Sequence, residues 1–179
     1  LKSGHNAVGA ILGLGFYTGY MTFTPDNYNF FGDSEAFLAK LVIIYEDGCQ
    51  QVITTTPETW QLFKGGPVEY ASMFQGERYN ANKEAAIAGW STVDYNASAW
   101  ITPEVLTPRD WIRFGIIARR DKPVREIERL TAVKVLSTHS QTKTTYTYDM
   151  GIDMVGVPCV TIPSGSLKEG DVVILRYGE

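Results

Sequence analysis

Carboxylates are the first residues in this sequence that could do chemistry. Asp26, Asp33, Glu35, Glu77, Asp94, Asp149 and Asp153 all stand in stretches that read as loops. Two carboxyl groups about 5–10 Å apart can break an acetal bond, one protonating the leaving oxygen while the other attacks or activates water. Linear spacing brings no two of these together, and a loop carboxylate in a strand-rich chain usually serves a turn or faces solvent. The sequence therefore predicts no catalytic pair. His5 lies in the turn Ser3-Gly4-His5-Asn6 and His139 in the polar run Ser137–Thr144, so a Ser-His-Asp triad or a two-histidine metal site would need the two ends of the chain to converge. Cys49 and Cys159 match no metal or redox spacing and read as two isolated thiols. No metal and no cofactor is expected.

The glycine cluster Gly13-Leu14-Gly15-Phe16-Tyr17-Thr18-Gly19 lacks the G-x-G-x-x-G spacing of a phosphate loop, and no helix follows it. Its glycines instead let the chain turn tightly around Phe16 and Tyr17. Aromatic side chains are the more informative group. Tyr, Phe and Trp make up 12% of the residues and gather around Phe16–Phe31, Tyr70–Tyr79 and Trp90–Trp100, in segments that read as loops. Between Tyr20 and Asp33 the rings Tyr28, Phe30 and Phe31 alternate with Asn27, Asn29 and Asp33. Rings flanked by amides and carboxylates suit a sugar, whose C–H faces stack while its hydroxyls hydrogen-bond. The same mixture suits a partner domain, or burial beneath a long loop.

The elements that must position these loops are short strands. Ala39–Tyr45 and Gln51–Thr56 are rich in β-branched residues and flank Glu46-Asp47-Gly48, which predicts a hairpin. Ala7–Leu12 reads as a buried strand. Further strands are expected at Trp60–Phe63, Trp111–Ala118, Leu130–Leu136, Thr144–Asp149, Val157–Ile162 and Asp171–Tyr177. Helical periodicity is confined to about two turns over Asn82–Ala88, ended by Gly89, and a short turn at Asn96–Trp100. Many short strands between turn signals predict an all-β chain built as a jelly-roll-like β-sandwich, followed by a second, partial antiparallel β-domain. Pro103 and Pro108 bracket the weakest periodicity, so the boundary is placed between residues 1–105 and 106–179.

Composition narrows the function classes. With 44% hydrophobic and 20% charged residues the chain is of globular type, and 179 residues can bury a core without staples. A net charge of −4 argues against nucleic acid, whose recognition needs clustered Lys and Arg. The densest basic stretch, Arg109–Arg129, is interrupted by Asp110, Asp121, Glu126 and Glu128 and reads as a solvated edge. No apolar run approaches the roughly 18 residues of a membrane helix, so no membrane partner is expected. The start has no signal-peptide pattern, and opening on Leu1 suggests a fragment.

Several stretches together resemble the β-sandwich region of bacterial α-L-rhamnosidases. Asn6-Ala7-Val8-Gly9 followed by Gly13–Gly19 is similar to that family's "NAIGVxLGxGWYxG", with Phe16 where Trp is usual. Tyr45-Glu46-Asp47-Gly48 and Thr55–Trp60 resemble its "YxDGxxxxxxTDxxW" hairpin. Gly76-Glu77-Arg78-Tyr79-Asn80-Ala81 resembles "GExYDA", and Gly89-Trp90 with Trp100 resembles the segment after it. Pro123-Val124-Arg125 is similar to "PPVRV", Tyr148–Gly156 to "FDFGQNMVG", and Leu175–Glu179 to "LRYAE". The matches run in order over nearly the whole chain. Where the family carries extra acids near "GExYDA" this sequence has Ser72, Gln75 and Asn80, which weakens a calcium or sugar site there.

The resemblance implies a non-catalytic accessory or carbohydrate-recognition region of a glycoside hydrolase that removes terminal rhamnose, its catalytic acids lying in a downstream helical barrel. The candidate carbohydrate contacts are Phe16, Tyr17, Tyr28, Glu77, Tyr79 and Trp90. Expected partners are a rhamnose-containing glycan, the parent's catalytic barrel and a second copy of the chain, with an extracellular or periplasmic parent favoured. A free-standing lectin-like module and a purely structural β-domain packing on the barrel are the alternatives.

Overall fold

The computed structural model describes residues 1–107, 117 and 120–177. The chain divides into two units, Leu1–Gly115 and Ile116–Glu179. It is all-β. Three antiparallel hairpins carry the regular structure: β1 (Lys40–Ile44) with β2 (Gln50–Thr54), β3 (Val68–Ser72) with β4 (Gly76–Tyr79), and β5 (Lys134–His139) with β6 (Thr144–Asp149). No α-helix forms among the described residues; 3-10 turns occur at Pro25–Asn27 and Ala81–Ile87.

The β1–β2 hairpin forms where the Asp-Gly signal places it. Lys40 pairs with Thr54 and Ile44 with Gln50. Gly48 adopts φ +84°, a conformation most side chains resist, and its N–H donates to the Tyr45 carbonyl at 3.0 Å. The Asp47 carboxylate accepts from the Cys49 N–H at 2.9 Å, and that bond holds its pKa below the ordinary value. Along β1, Leu41 and Ile43 are half-buried while Lys40, Val42 and Ile44 are exposed, the period-two alternation of a strand with one covered face.

The β3–β4 hairpin was not among the expected strands. A bulge between Val68 and Tyr70 blurs its alternation, and Gly76-Glu77 reads locally as a turn. It is held from outside as well as within. Leu14 forms a parallel bridge with Ser72, its N–H donating to the Ala71 carbonyl at 2.8 Å, and the Asn80 N–H donates to the Pro67 carbonyl at 2.8 Å. The expected helix appears as the 3-10 turn Ala81–Ile87, started by Asn80, whose side chain accepts from the Asn82 N–H. None of its residues is buried, so no apolar face extends it.

In the second unit, the strand expected at Leu130–Leu136 begins at Lys134, and Thr144–Asp149 is β6 as expected. Ala7–Leu12, Val157–Ile162 and Asp171–Tyr177 form no ladder, and Trp60–Phe63 contributes a single bridge, Leu62 to Ile101. An apolar run becomes a strand only beside a partner that takes its N–H and C=O groups, and Ala7–Leu12, Val157–Ile162 and Asp171–Tyr177 pair with no strand among the described residues. The strand expected at Trp111–Ala118 lies, Ile117 apart, outside the described residues.

Among the described residues each sheet has two strands. Among the described residues no hydrophobic side chain is fully buried. The best-covered positions are Thr18, Gly19, Gly32 and Pro67, all in the first unit. Cys49 and Cys159 are free and exposed. No helix among the described residues is long and apolar enough to cross a membrane, and no group of three or more metal-ligating side chains assembles.

Candidate functional site

The covered positions surround the loop that the glycine cluster builds. The Gly15 N–H donates to the Thr18 carbonyl at 2.8 Å and closes a tight turn on Phe16 and Tyr17. Thr18, only 6% exposed, donates its hydroxyl to the Ser34 carbonyl at 2.9 Å. Asn29 clamps the far end: its side-chain oxygen accepts from the Gly19 N–H, its own N–H donates to the Gly19 carbonyl, and it adopts φ +54°, which Asn tolerates better than most residues. The Tyr17 ring lies so close to Gly32 that a Cβ there would sit 2.5 Å from it. Residues 13–19 and 29–36 are thereby fixed against each other.

Two adjoining hollows open beside this clasp. One, of about 190 Å³, is lined by Phe16, Tyr17, Thr18, Glu35 and Ala36 together with Leu12 and Gly13. The other, of about 130 Å³, runs from Leu12, Gly13 and Glu35 to the β3 residues Val68, Glu69 and Tyr70. Glu35 belongs to both. The lining residues thus include the aromatic Phe16, Tyr17 and Tyr70 and the acidic Glu35 and Glu69, a mixture found in small polar-ligand sites.

Two carboxylate residues, Glu35 and Glu69, line the smaller hollow, and Glu69 is already engaged by its neighbours. Glu69 faces Lys83 at 2.8 Å, Arg78 at 3.1 Å and the Asn80 amide at 3.0 Å. The Lys83 hydrogen bond, then that of Asn80, pull its pKa from 4.5 to about 2. A glycosidic general acid needs its proton near neutral pH, hence a raised pKa, and Glu69 is driven the other way. Its oxygens are occupied in tying β3 to β4 and to the 3-10 turn.

Of the sequence candidates, the structure brings Phe16 and Tyr17 together at the larger hollow. Tyr28, Glu77, Tyr79 and Trp90 line neither hollow. Tyr28 lies against Tyr20, ring centres 4.7 Å apart and planes tilted by 45°. Glu77 is an exposed β4 residue opposite Ala71. Tyr79 donates its hydroxyl to Glu84 at 2.6 Å, which raises the phenol pKa. Trp90 is half-buried with its ring against Gly9. Thr18 is the site residue that sequence reasoning missed; Glu35 stands among the loop carboxylates named from the sequence but not among the candidate sugar contacts. Glu35 carries no local signal beyond its charge, whereas Thr18 inside a glycine-rich turn is a residue type that commonly bonds a nearby backbone.

The comparisons with known proteins bear on the same segment. The family model of the α-L-rhamnosidase N-terminal domain matches residues 1–128. The chain belongs to that family. An α-L-rhamnosidase of Alteromonas sp. (strain LOR) is 35% identical to it over 176 residues, covering 97% of this chain and 18% of the relative. One from Streptomyces avermitilis is 32% identical over 180 residues, covering 100% of this chain and 16% of the relative. One from Formosa agariphila is 23% identical over 181 residues. The rhamnosidase-type chain therefore spans less than a fifth of the length of these relatives. No solved structure matches it. The family match covers both hollows, the clasp around Thr18 and all six sequence candidates.

Proposed function

We propose that this chain is a non-catalytic, carbohydrate-recognition region of an α-L-rhamnosidase-type glycoside hydrolase, and that the paired hollows around Glu35 are where it meets sugar. The observation that carries the reading is the wall of Phe16, Tyr17, Thr18 and Glu35 on a hydrogen-bonded clasp, within a segment belonging to the rhamnosidase N-terminal family. A ring face and a carboxylate acceptor are what a sugar's C–H face and hydroxyls need. The locked state of Glu69 supports leaving bond cleavage to another part of the parent enzyme. Two measurements on the chain test this. Calorimetric titration with L-rhamnose should show saturable binding that Glu35→Ala weakens, and a chromogenic α-L-rhamnoside should not be turned over. Clear turnover, or no binding, overturns it.

One observation favours a structural role for the second unit. Val124, Ile127, Val155 and Val157 are 93–106% exposed, and apolar side chains this bare favour cover from a neighbour. The catalytic barrel of the parent is the proposed cover, with a second copy of the chain as the competing one. Sedimentation of the chain at high concentration separates them: a strict monomer excludes the second copy.

A further inference from the structure

Three phenylalanines from three separate turns meet at one edge of the larger hollow. Phe16 and Phe74 lie with ring centres 5.9 Å apart, and Phe74 and Phe23 lie edge to face at 5.2 Å. Each is set by its own hydrogen bonds. Phe16 sits in the turn closed by Gly15 and Thr18. Phe74 tops the β3–β4 hairpin, where the Ser72 hydroxyl accepts from the N–H groups of Phe74 and Gln75. Phe23 lies between Thr22 and Thr24, whose hydroxyls are 2.8 Å apart and whose backbone joins the same small network. Phe16 is nevertheless 54% exposed and Phe23 77%.

We infer that the Phe16–Phe74–Phe23 cluster is a second sugar-stacking position continuous with the hollow, so that the module grips two consecutive pyranoses rather than one terminal sugar. This rests on the reading of the hollow as a sugar site. Continuity comes from Phe16, which lines the hollow on one side and begins the aromatic row on the other. The rim of the row is polar, carrying Thr22, Thr24, Ser72 and Gln75, which matches a pyranose with an apolar face and a hydroxylated edge. The patch is too small for a protein partner. Three partly covered rings offer roughly 400 Å² at most, against about 800 Å² per partner in a standard interface.

The test compares calorimetric titrations of the chain with L-rhamnose and with an α-L-rhamnosyl-D-glucose disaccharide. The disaccharide should bind about tenfold more tightly, the scale of one added stacking contact. Phe23→Ala should reduce disaccharide affinity to that of the monosaccharide and leave L-rhamnose binding unchanged, and Phe23→Tyr should retain the disaccharide preference. Glu35→Gln should weaken both sugars together. Equal affinity of the unmodified chain for both sugars overturns the second position while the hollow stands, as does an undiminished disaccharide preference in Phe23→Ala. Binding of neither sugar overturns the hollow and the row together.

Discussion

Hairpins β3–β4 and β5–β6 share a topology and differ in nearly everything outside their own ladders. The β5–β6 ladder is regular, with six pairs from Lys134–Asp149 to His139–Thr144 and a turn closed by the Ser140 N–H on the Lys143 carbonyl. All twelve of its residues are exposed. The β3–β4 ladder is shorter and bulged, yet Leu14 bridges its edge, Asn80 ties back to Pro67, and Glu69 is paired with Lys83 and Arg78. Four of the five β3 residues are half-buried. Regularity and anchorage are therefore separate properties. A cross-strand register comes from local pattern and turn chemistry, whereas coverage of a face needs chain from elsewhere.

That contrast is open to attack at graded strength. The heaviest blow is Gly32→Ala. The new methyl would sit 2.5 Å from the Tyr17 ring, and expelling the ring is expected to cost the first unit about 1–3 kcal/mol. Hydrogen exchange resolved by segment should speed up in residues 13–36 and β3, and stay unchanged in β5–β6; equal acceleration of both hairpins would erase the distinction. Next is Thr18→Val, which keeps the shape but leaves the Ser34 carbonyl without its donor. A loss of about 1–2 kcal/mol is expected in thermal unfolding, again confined to the first unit.

Acid titration gives a smaller, signed effect. Glu69 has a folded pKa of about 2 against an ordinary 4.5, so its pairing contributes fully above about 4.5 and is lost as pH falls toward 2. The melting midpoint of the first unit should fall across that window, and Glu69→Gln should flatten that part of the profile. An unchanged profile in the variant would show that the pairing with Lys83, Arg78 and Asn80 does not anchor β3–β4. The weakest perturbation is Val135→Thr on β5, a side chain already 51% exposed, for which thermal unfolding should move by no more than about 0.5 kcal/mol. A larger loss would mean that β5–β6 has a covered face after all.

Where the signal was a turn, the sequence was sufficient. Asp47-Gly48 located β1–β2 because a positive-φ glycine and an Asp side chain bonded to the backbone two residues on are local devices. Thr144–Asp149 was legible from its alternating β-branched and aromatic residues. Where the signal was hydrophobicity alone, it misled: Ala7–Leu12 and Val157–Ile162 have strand composition but no ladder partner among the described residues. The Val68–Ser72 strand escaped notice because its bulge breaks the period of two. At the candidate site, the tight turn around Phe16 and Tyr17 was readable from its glycines, but nothing near Glu35 or Phe74 in the chain announces that they lie beside that turn.

Sequence by itself thus determined the family, the all-β character, the β1–β2 hairpin and the strand Thr144–Asp149, since each depends on residues close together in the chain or on motifs kept in order. Only the tertiary structure decided which carboxylate shares a hollow with the aromatic turn, which is tied up by Lys83 and Arg78, and which three phenylalanines meet. Those outcomes depend on contacts between segments up to about sixty residues apart, such as Leu14 with Ala71, Thr18 with Ser34 and Phe16 with Phe74. Composition is silent about such pairings, because closing a long loop is set by the whole chain's geometry and not by the chemistry at either end.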